Sequence, residues 1–280
     1  MSKVIACVDA HVHLHSCYDP DDLLQNAYDN LSAVATGRSE QAGRKAYFLL
    51  LAECAPDDCF GALRALADRP SASNGASSLR LRRWAVAPTE EAISVVARQA
   101  QRELFIVAGR QVACREGLEV LVLGTTHRFD DGQPIRDVLR QSEALGVPRV
   151  IPWGPGKWFF RRGRLLNALV EEFRKPTLFL GDEGGRPVFW GYPQHFTHAA
   201  RLGVRDLPGT DPLPFPHDVE KVGRMGIKVA IDLDPARPAA SLLRALTQVE
   251  APLERFATLE PPLRFVRNQI GMQLRKRLRA

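Results

Sequence analysis

Residues 8–15, VDAHVHLH, put one acid and three imidazoles at alternate positions. Residues two apart in an extended chain point the same way, so Asp9, His11 and His13 can face one cavity. Two neutral imidazoles at this spacing bind Zn²⁺, Mn²⁺ or Fe²⁺ through ring nitrogens, while a nearby carboxylate orients a ring or completes the shell. Without a strand to carry it, His-x-His equally describes core or surface histidines. His15 keeps the alternation but begins a loop.

Further along, three carboxylates could complete such a site. Asp211 follows Gly209-Thr210 and is stiffened by Pro212 and Pro214, so it could bind the metal and take a proton from water. It could also cap a helix starting near Pro216. Glu53 closes the run YFLLLAE as an additional ligand, or as a capping or surface glutamate ahead of Ala55-Pro56. Asp182, in FLGDEGGRP, precedes two glycines that let backbone approach a bound group, or it begins a turn. Glu116 and Glu119 lie near a turn and are weaker candidates. Of the cations, Lys157 sits in IPWGPGKWFFRRGR among two glycines and two tryptophans, a setting for binding phosphate or carboxylate, or for an exposed helix start. Arg186, beyond Gly184-Gly185, is a second possible anion clamp.

With these residues in view, the chain resembles the polymerase and histidinol phosphatase (PHP) family, within the amidohydrolase-like metal-dependent hydrolases. VDAHVHLHS resembles that family's first metal motif, carried by His11 and His13. GRQVACREGLEVLVLG is similar to its Gly-x-Glu strand and the histidine-bearing strand after it, and LPGTDPLPFPHDVEKVG to its late Gly-Ser-Asp-x-His element. The chain departs from the pattern at Gln111 in place of glutamate, at Leu121 in place of histidine, around Pro152-Trp153, and at Asp211-Pro212-Leu213. The resemblance therefore implies a reduced ligand set holding one or two divalent ions. It implies hydrolysis of an anionic small molecule, phosphoester ahead of amide or lactone. The alternative is a degenerate relative that binds a ligand or serves as a membrane-peripheral scaffold without turnover.

The elements that must position these residues read as alternating strands and helices. Strand-like runs at residues 4–8, 47–51, 149–153, 178–180 and 229–233 are interleaved with helical patterns at 59–66, 164–173 and 241–249. Runs at 105–107, 111–114 and 120–123 suggest a local antiparallel insertion, and residues 70–78, PSASNGASS, an exposed loop. Asp9, Glu53, Asp182 and Asp211 all lie at or beyond the carboxyl ends of expected strands. In a barrel those ends share one mouth, so the expected fold is a distorted TIM-barrel-like domain of seven or eight strands over residues 1–250. Residues 251–280 then form a basic helical extension.

Composition narrows the classes. A hydrophobic fraction of 45% with 25% charged residues is that of a folded protein with a core. No apolar run reaches the ~20 residues of a membrane span. The start has one basic residue and an apolar run broken at Asp9, unlike a signal peptide. Five cysteines without knuckle spacing suit reduced thiols and a cytoplasmic location. No GxxxxGK[ST] or GxGxxG fingerprint is present, which excludes nucleotide-driven and nicotinamide chemistry by the usual motifs. The net charge of +6 favours anionic partners. Much of it lies in LRFVRNQIGMQLRKRLRA, which has no acid and an incomplete apolar face. That tail belongs to no nucleic-acid module. It could touch an anionic membrane, or dock on the domain with little part in catalysis.

Overall fold

Along the chain β1 (Ser2–Val12), α1 (Pro20–Ala35), β2 (Lys45–Leu51) and α2 (Cys59–Ala67) come first. Short strands follow: β3 (Ala85–Pro88), β4 (Ser94–Gln99), β5 (Arg102–Val107), β6 (Gly109–Ala113) and β7 (Glu119–Leu123). Then come α3 (Ile135–Ala144), β8 (Arg149–Pro152), α4 (Phe160–Phe173), β9 (Leu178–Gly181), α5 (Gln194–Arg201) and β10 (Arg205–Asp206). A 3₁₀ turn (Pro216–Lys221) leads to β11 (Met225–Leu233), α6 (Pro238–Thr247), β12 (Glu254–Ala257) and α7 (Pro262–Arg279). This computed structural model describes residues 2–35, 43–68 and 79–279, so the loop expected at 70–78 lies outside the described residues.

The strands form two sheets, ordered β12-β11-β1-β2-β5-β4-β3 and β10-β9-β8-β7-β6. β1 and β2 read as near-continuous apolar runs because both of their faces are covered. Val8, Phe48 and Val107 from the larger sheet meet Leu121, Val150 and Phe179 from the smaller one in a core between the sheets, which α6 joins through Leu242 and Leu246. Phe48 and Phe105 pack there with ring centroids 5.1 Å apart. Each such side chain removed from water contributes about 1.5–3 kcal/mol. On the outer face of the larger sheet lie α1 and α2, through Leu23, Leu31, Phe60 and Leu63. On the outer face of the smaller one lie α3, α4 and α5, through Leu139, Leu166 and Phe196.

The expected TIM-barrel-like closure is not what the chain forms. Helical crossovers do give parallel pairs at β1–β2, β2–β5, β8–β9 and β9–β10. Antiparallel pairs β1–β11, β4–β5, β6–β7 and β7–β8 interrupt them, and two separate sheets result. An alternation of strands and helices specifies crossovers but not closure, because closure depends on which edges meet. At one end the sheets touch through an isolated bridge, Glu53 with Arg110, while a second bridge, Glu183 with Gly209, continues the β9–β10 pairing within the smaller sheet. The first forms where the chain passes from β5 in one sheet to β6 in the other. A Cβ on Gly109 would lie 2.3 Å from the Leu51 carbonyl oxygen, so only glycine lets β6 start against the end of β2.

Within residues 251–280, β12 pairs antiparallel with β11 and adds an edge to the larger sheet, and α7 follows. Among the described residues no helix is long and apolar enough to cross a membrane.

Candidate metal centre

The pairing of β1 with β2 shifts register between Asp9 and Val12, so the strand's last turn of pleat is re-aimed where the histidines lie. The Asp211 amide donates to the His11 carbonyl at 2.8 Å, holding the segment after β10 against the end of β1. Gly209 makes that approach possible, since a Cβ there would lie 2.2 Å from the His11 nitrogen. Asp9 fastens the same seam. Its carboxylate accepts from the Thr210 amide at 2.9 Å, the Thr210 hydroxyl, the Gly223 amide at 2.9 Å and the His11 amide at 3.3 Å. Burial pushes its pKa up to about 6 against the pull of those donors. Asp9 thus positions backbone and touches neither imidazole ring of the pair.

This seam brings His11, His13 and Asp211 together, with ligand atoms all within 4.8 Å of one another. His11 Nε2 stands 3.1 Å from His13 Nε2, 2.9 Å from Gln111 Oε1 and 3.4 Å from Asp211 Oδ1. His13 Nε2 is 3.2 Å from the same carboxylate oxygen. Asp211 holds a left-handed backbone at φ 44°, a conformation that aspartate tolerates better than most residues. Burial drives the His11 pKa down to about 4, which leaves a neutral imidazole at neutral pH. For Asp211, burial raises the pKa, but His11, His13 and Glu183 outweigh it and hold the carboxyl well below the usual range. Glu183 shows the complementary shift. Burial and the adjoining Asp211 raise it well above the ordinary value. Glu183 Oε2 is buried and without a hydrogen-bond partner.

A cavity of about 270 Å³ opens beside Asp211, with Glu119, Lys157, Glu183 and Asp211 on one wall. Phe265, Asn268, Gln269 and Met272 of α7 form the other wall. Lys157 Nζ lies 2.5 Å from Glu119 Oε2. Burial disfavours its ammonium, but Glu119, Glu183 and Asp211 prevail and raise its pKa.

Of the residues singled out from sequence, Asp211, Lys157 and Glu119 line this cavity, and His11 and His13 lie against Asp211. The others are committed elsewhere. Glu53 accepts from the Phe60 amide at 2.5 Å, satisfying the start of α2, and pairs with Arg110 at 3.1 Å. Asp182 is gripped by Arg186 through two bonds of 2.8 Å and also meets Arg255. The third contact of Arg186 is the Trp190 carbonyl, at 2.6 Å. Sequence reasoning passed over Glu183, whose only signal was its place beside Asp182. At the end of β9, adjacent side chains point to opposite sides, so one of the pair reaches the cavity and the other the ion-pair network.

An α/β molecule of two sheets, with two histidines and an aspartate gathered at one end, is the class of protein that fold and site define. No family model matches the sequence, and no curated protein matches it. Among solved structures, the chain is similar to PsfC from Pseudomonas syringae PB-5123, with a TM-score of 0.52 and 17% identity over 98% of this chain and 99% of that one. It also overlaps the lesion-specific endonuclease PfuEndoQ from Pyrococcus furiosus, with a TM-score of 0.47 and 10% identity over 90% of this chain and 57% of that one. The likeness to PsfC is one of fold.

Proposed function

We propose that the protein is a metal-dependent hydrolase of an anionic small molecule, with a phosphoester favoured over an amide or lactone. The observation that carries this reading is the convergence on His11 Nε2. A neutral ring nitrogen bears at most one proton, yet this one faces His13, Gln111 and Asp211 at 3.4 Å or less. At most one neighbour is served by that proton, and a cation would satisfy the acceptor atoms left over. His11, His13 and Asp211 would hold a divalent ion of zinc, manganese or iron.

When bound, such an ion supplies Lewis-acid activation of water and of a phosphoryl or carbonyl oxygen. The chain's own groups do the rest. Asp211 Oδ1 orients both imidazoles, and its carboxylate would accept a proton from a nucleophilic water. Glu183, buried in the same cavity beside Asp211, would return a proton to a leaving group. Lys157 sets an ammonium in the same cavity, where it offsets charge on an anionic substrate. The wall supplied by α7 limits water around the reacting atoms.

Elemental analysis of the purified protein tests the ligand set. Wild type should carry a transition metal, and His11→Ala combined with His13→Ala should reduce it to background in a chain that still folds. Unchanged metal content in the folded double variant would remove the site. A second reading, a binding protein without turnover, draws on Gln111, whose neutral amide contacts His11 where the resembling family has a carboxylate. Turnover of the metal-loaded chain on a phosphoester panel separates the two.

A further inference from the structure

Large apolar side chains left in water are not scattered over this molecule. Among the described residues, all but Leu145 and Val249 sit on three segments: the start of α4, residues 188–192, and one face of α7. The three lie next to one another. Phe159 stacks on Trp190 at 5.6 Å, and the Val188 amide donates to the Glu260 carbonyl at 3.0 Å just ahead of Leu263 and the start of α7. Phe160 is 87% exposed and sits at φ 49°, a left-handed conformation unusual for so bulky a residue. Exposed apolar side chains gathered on neighbouring segments mark an interaction face.

α7 has two distinct sides. Phe265, Asn268 and Met272 turn to the cavity, while Leu263, Val266, Ile270 and Leu274 recur along the opposite face and stay exposed. Exposed Arg267 and Arg277 border that stripe, and exposed Arg161 and Arg164 accompany Phe160 on α4. The helix contains no acidic residue.

These cations decide the partner. Two copies meeting through this face would set Arg267 and Arg277 against the same cations, with no acid on either helix to answer them. A nucleic acid would meet the arginines but leave four aliphatic side chains in water. An anionic lipid surface accommodates both, with apolar side chains at the acyl boundary and arginines at the headgroups. We propose that this face docks the protein on anionic membranes, with α7 lying in the plane of the interface.

The test is co-sedimentation of the full-length chain with phosphatidylcholine vesicles, and with the same vesicles doped with phosphatidylglycerol. Wild type should pellet with the anionic vesicles and not with the neutral ones. Ile270→Ser with Leu274→Ser should weaken partitioning at least about tenfold while leaving the fold intact by circular dichroism. Arg267→Gln with Arg277→Gln should do so to a similar extent. Phe160→Ser, on a separate segment, guards against misfolding of α7 and should weaken binding as well. Wild type left in the supernatant with both vesicles overturns the proposal, as do variants that bind like wild type. A dimer in vesicle-free solution that Ile270→Ser with Leu274→Ser dissolves assigns the face to a second copy and also overturns it. Vesicle binding should persist in His11→Ala with His13→Ala, so this test and that of the metal site fail independently.

Discussion

Asp211 carries two demands at once, a charge shared with His11 and His13 and a left-handed backbone at φ 44°. Asparagine meets the second demand and not the first. Asp211→Asn should therefore fold like wild type but lose turnover about 100- to 10,000-fold, as removal of a general base does. Circular dichroism and metal content followed beside turnover make the comparison decisive, and wild-type turnover would take Asp211 out of the mechanism. At this scale the sequence was a good guide where the backbone imposed a period. His11 and His13 share a side because they lie two apart in a strand, and Gly209-Thr210-Asp211 announced a tight approach. It was a poor guide for Glu53 and Asp182. Both are carboxylates at strand ends, but their roles depend on Arg110 and Arg255, which only the folded chain brings near. The choice between Asp182 and Glu183 turned on which side of β9 faced the cavity, and two adjacent acids leave that undecided.

Among elements, α7 departs most from expectation. Composition alone presents it as a charged appendage whose loss leaves turnover intact. Instead its inner side walls the cavity, and Asn268 with Arg264 partners the fully buried Asp218, which also meets Lys221 at 3.1 Å. Truncation after Glu260 should leave the metal ligands in place but remove one wall. Metal content should hold, while turnover falls at least about tenfold through lost positioning of substrate. The shortened chain should also unfold at lower urea, because Asp218 keeps fewer partners. Full turnover in a native-like truncated chain would return α7 to the role of an appendage. The helix was legible as a helix, since its apolar positions recur at the right spacing. Its two-sided use was not, because a stripe facing a cavity and a stripe facing a membrane look alike in one dimension.

For the whole molecule, strands and helices were legible but their arrangement was not, since nothing in the runs at 105–123 tells that the chain changes sheets at Ala108. The fold so formed buries acids whose titration should be visible in its stability. Burial raises the Asp206 pKa to about 6 in spite of Arg255, and Asp9 likewise rises to about 6. Between about pH 4 and pH 6 the native state then binds more protons than the unfolded chain, so these two groups lower stability as pH rises through that window. Asp206→Asn should abolish its share. Urea unfolding of wild type and variant across the window should show their free-energy difference changing by about 1–3 kcal/mol, in the variant's favour at the higher pH. A difference constant with pH would show that Asp206 titrates as it does in the unfolded chain.

The seam that Asp9 fastens spans 201 residues to Thr210 and 214 to Gly223. A ribosome adding about 5–20 residues per second delivers His11 and His13 roughly 10–40 s before Asp211. During that interval the emerging chain can offer an ion two imidazoles but not the full set. Contacts of such long range also form late, because the loop they close must be ordered first. An ion held by all three ligands would therefore record that the seam between β1 and the segment after β10 has closed, and its retention through purification would count the molecules in which it has.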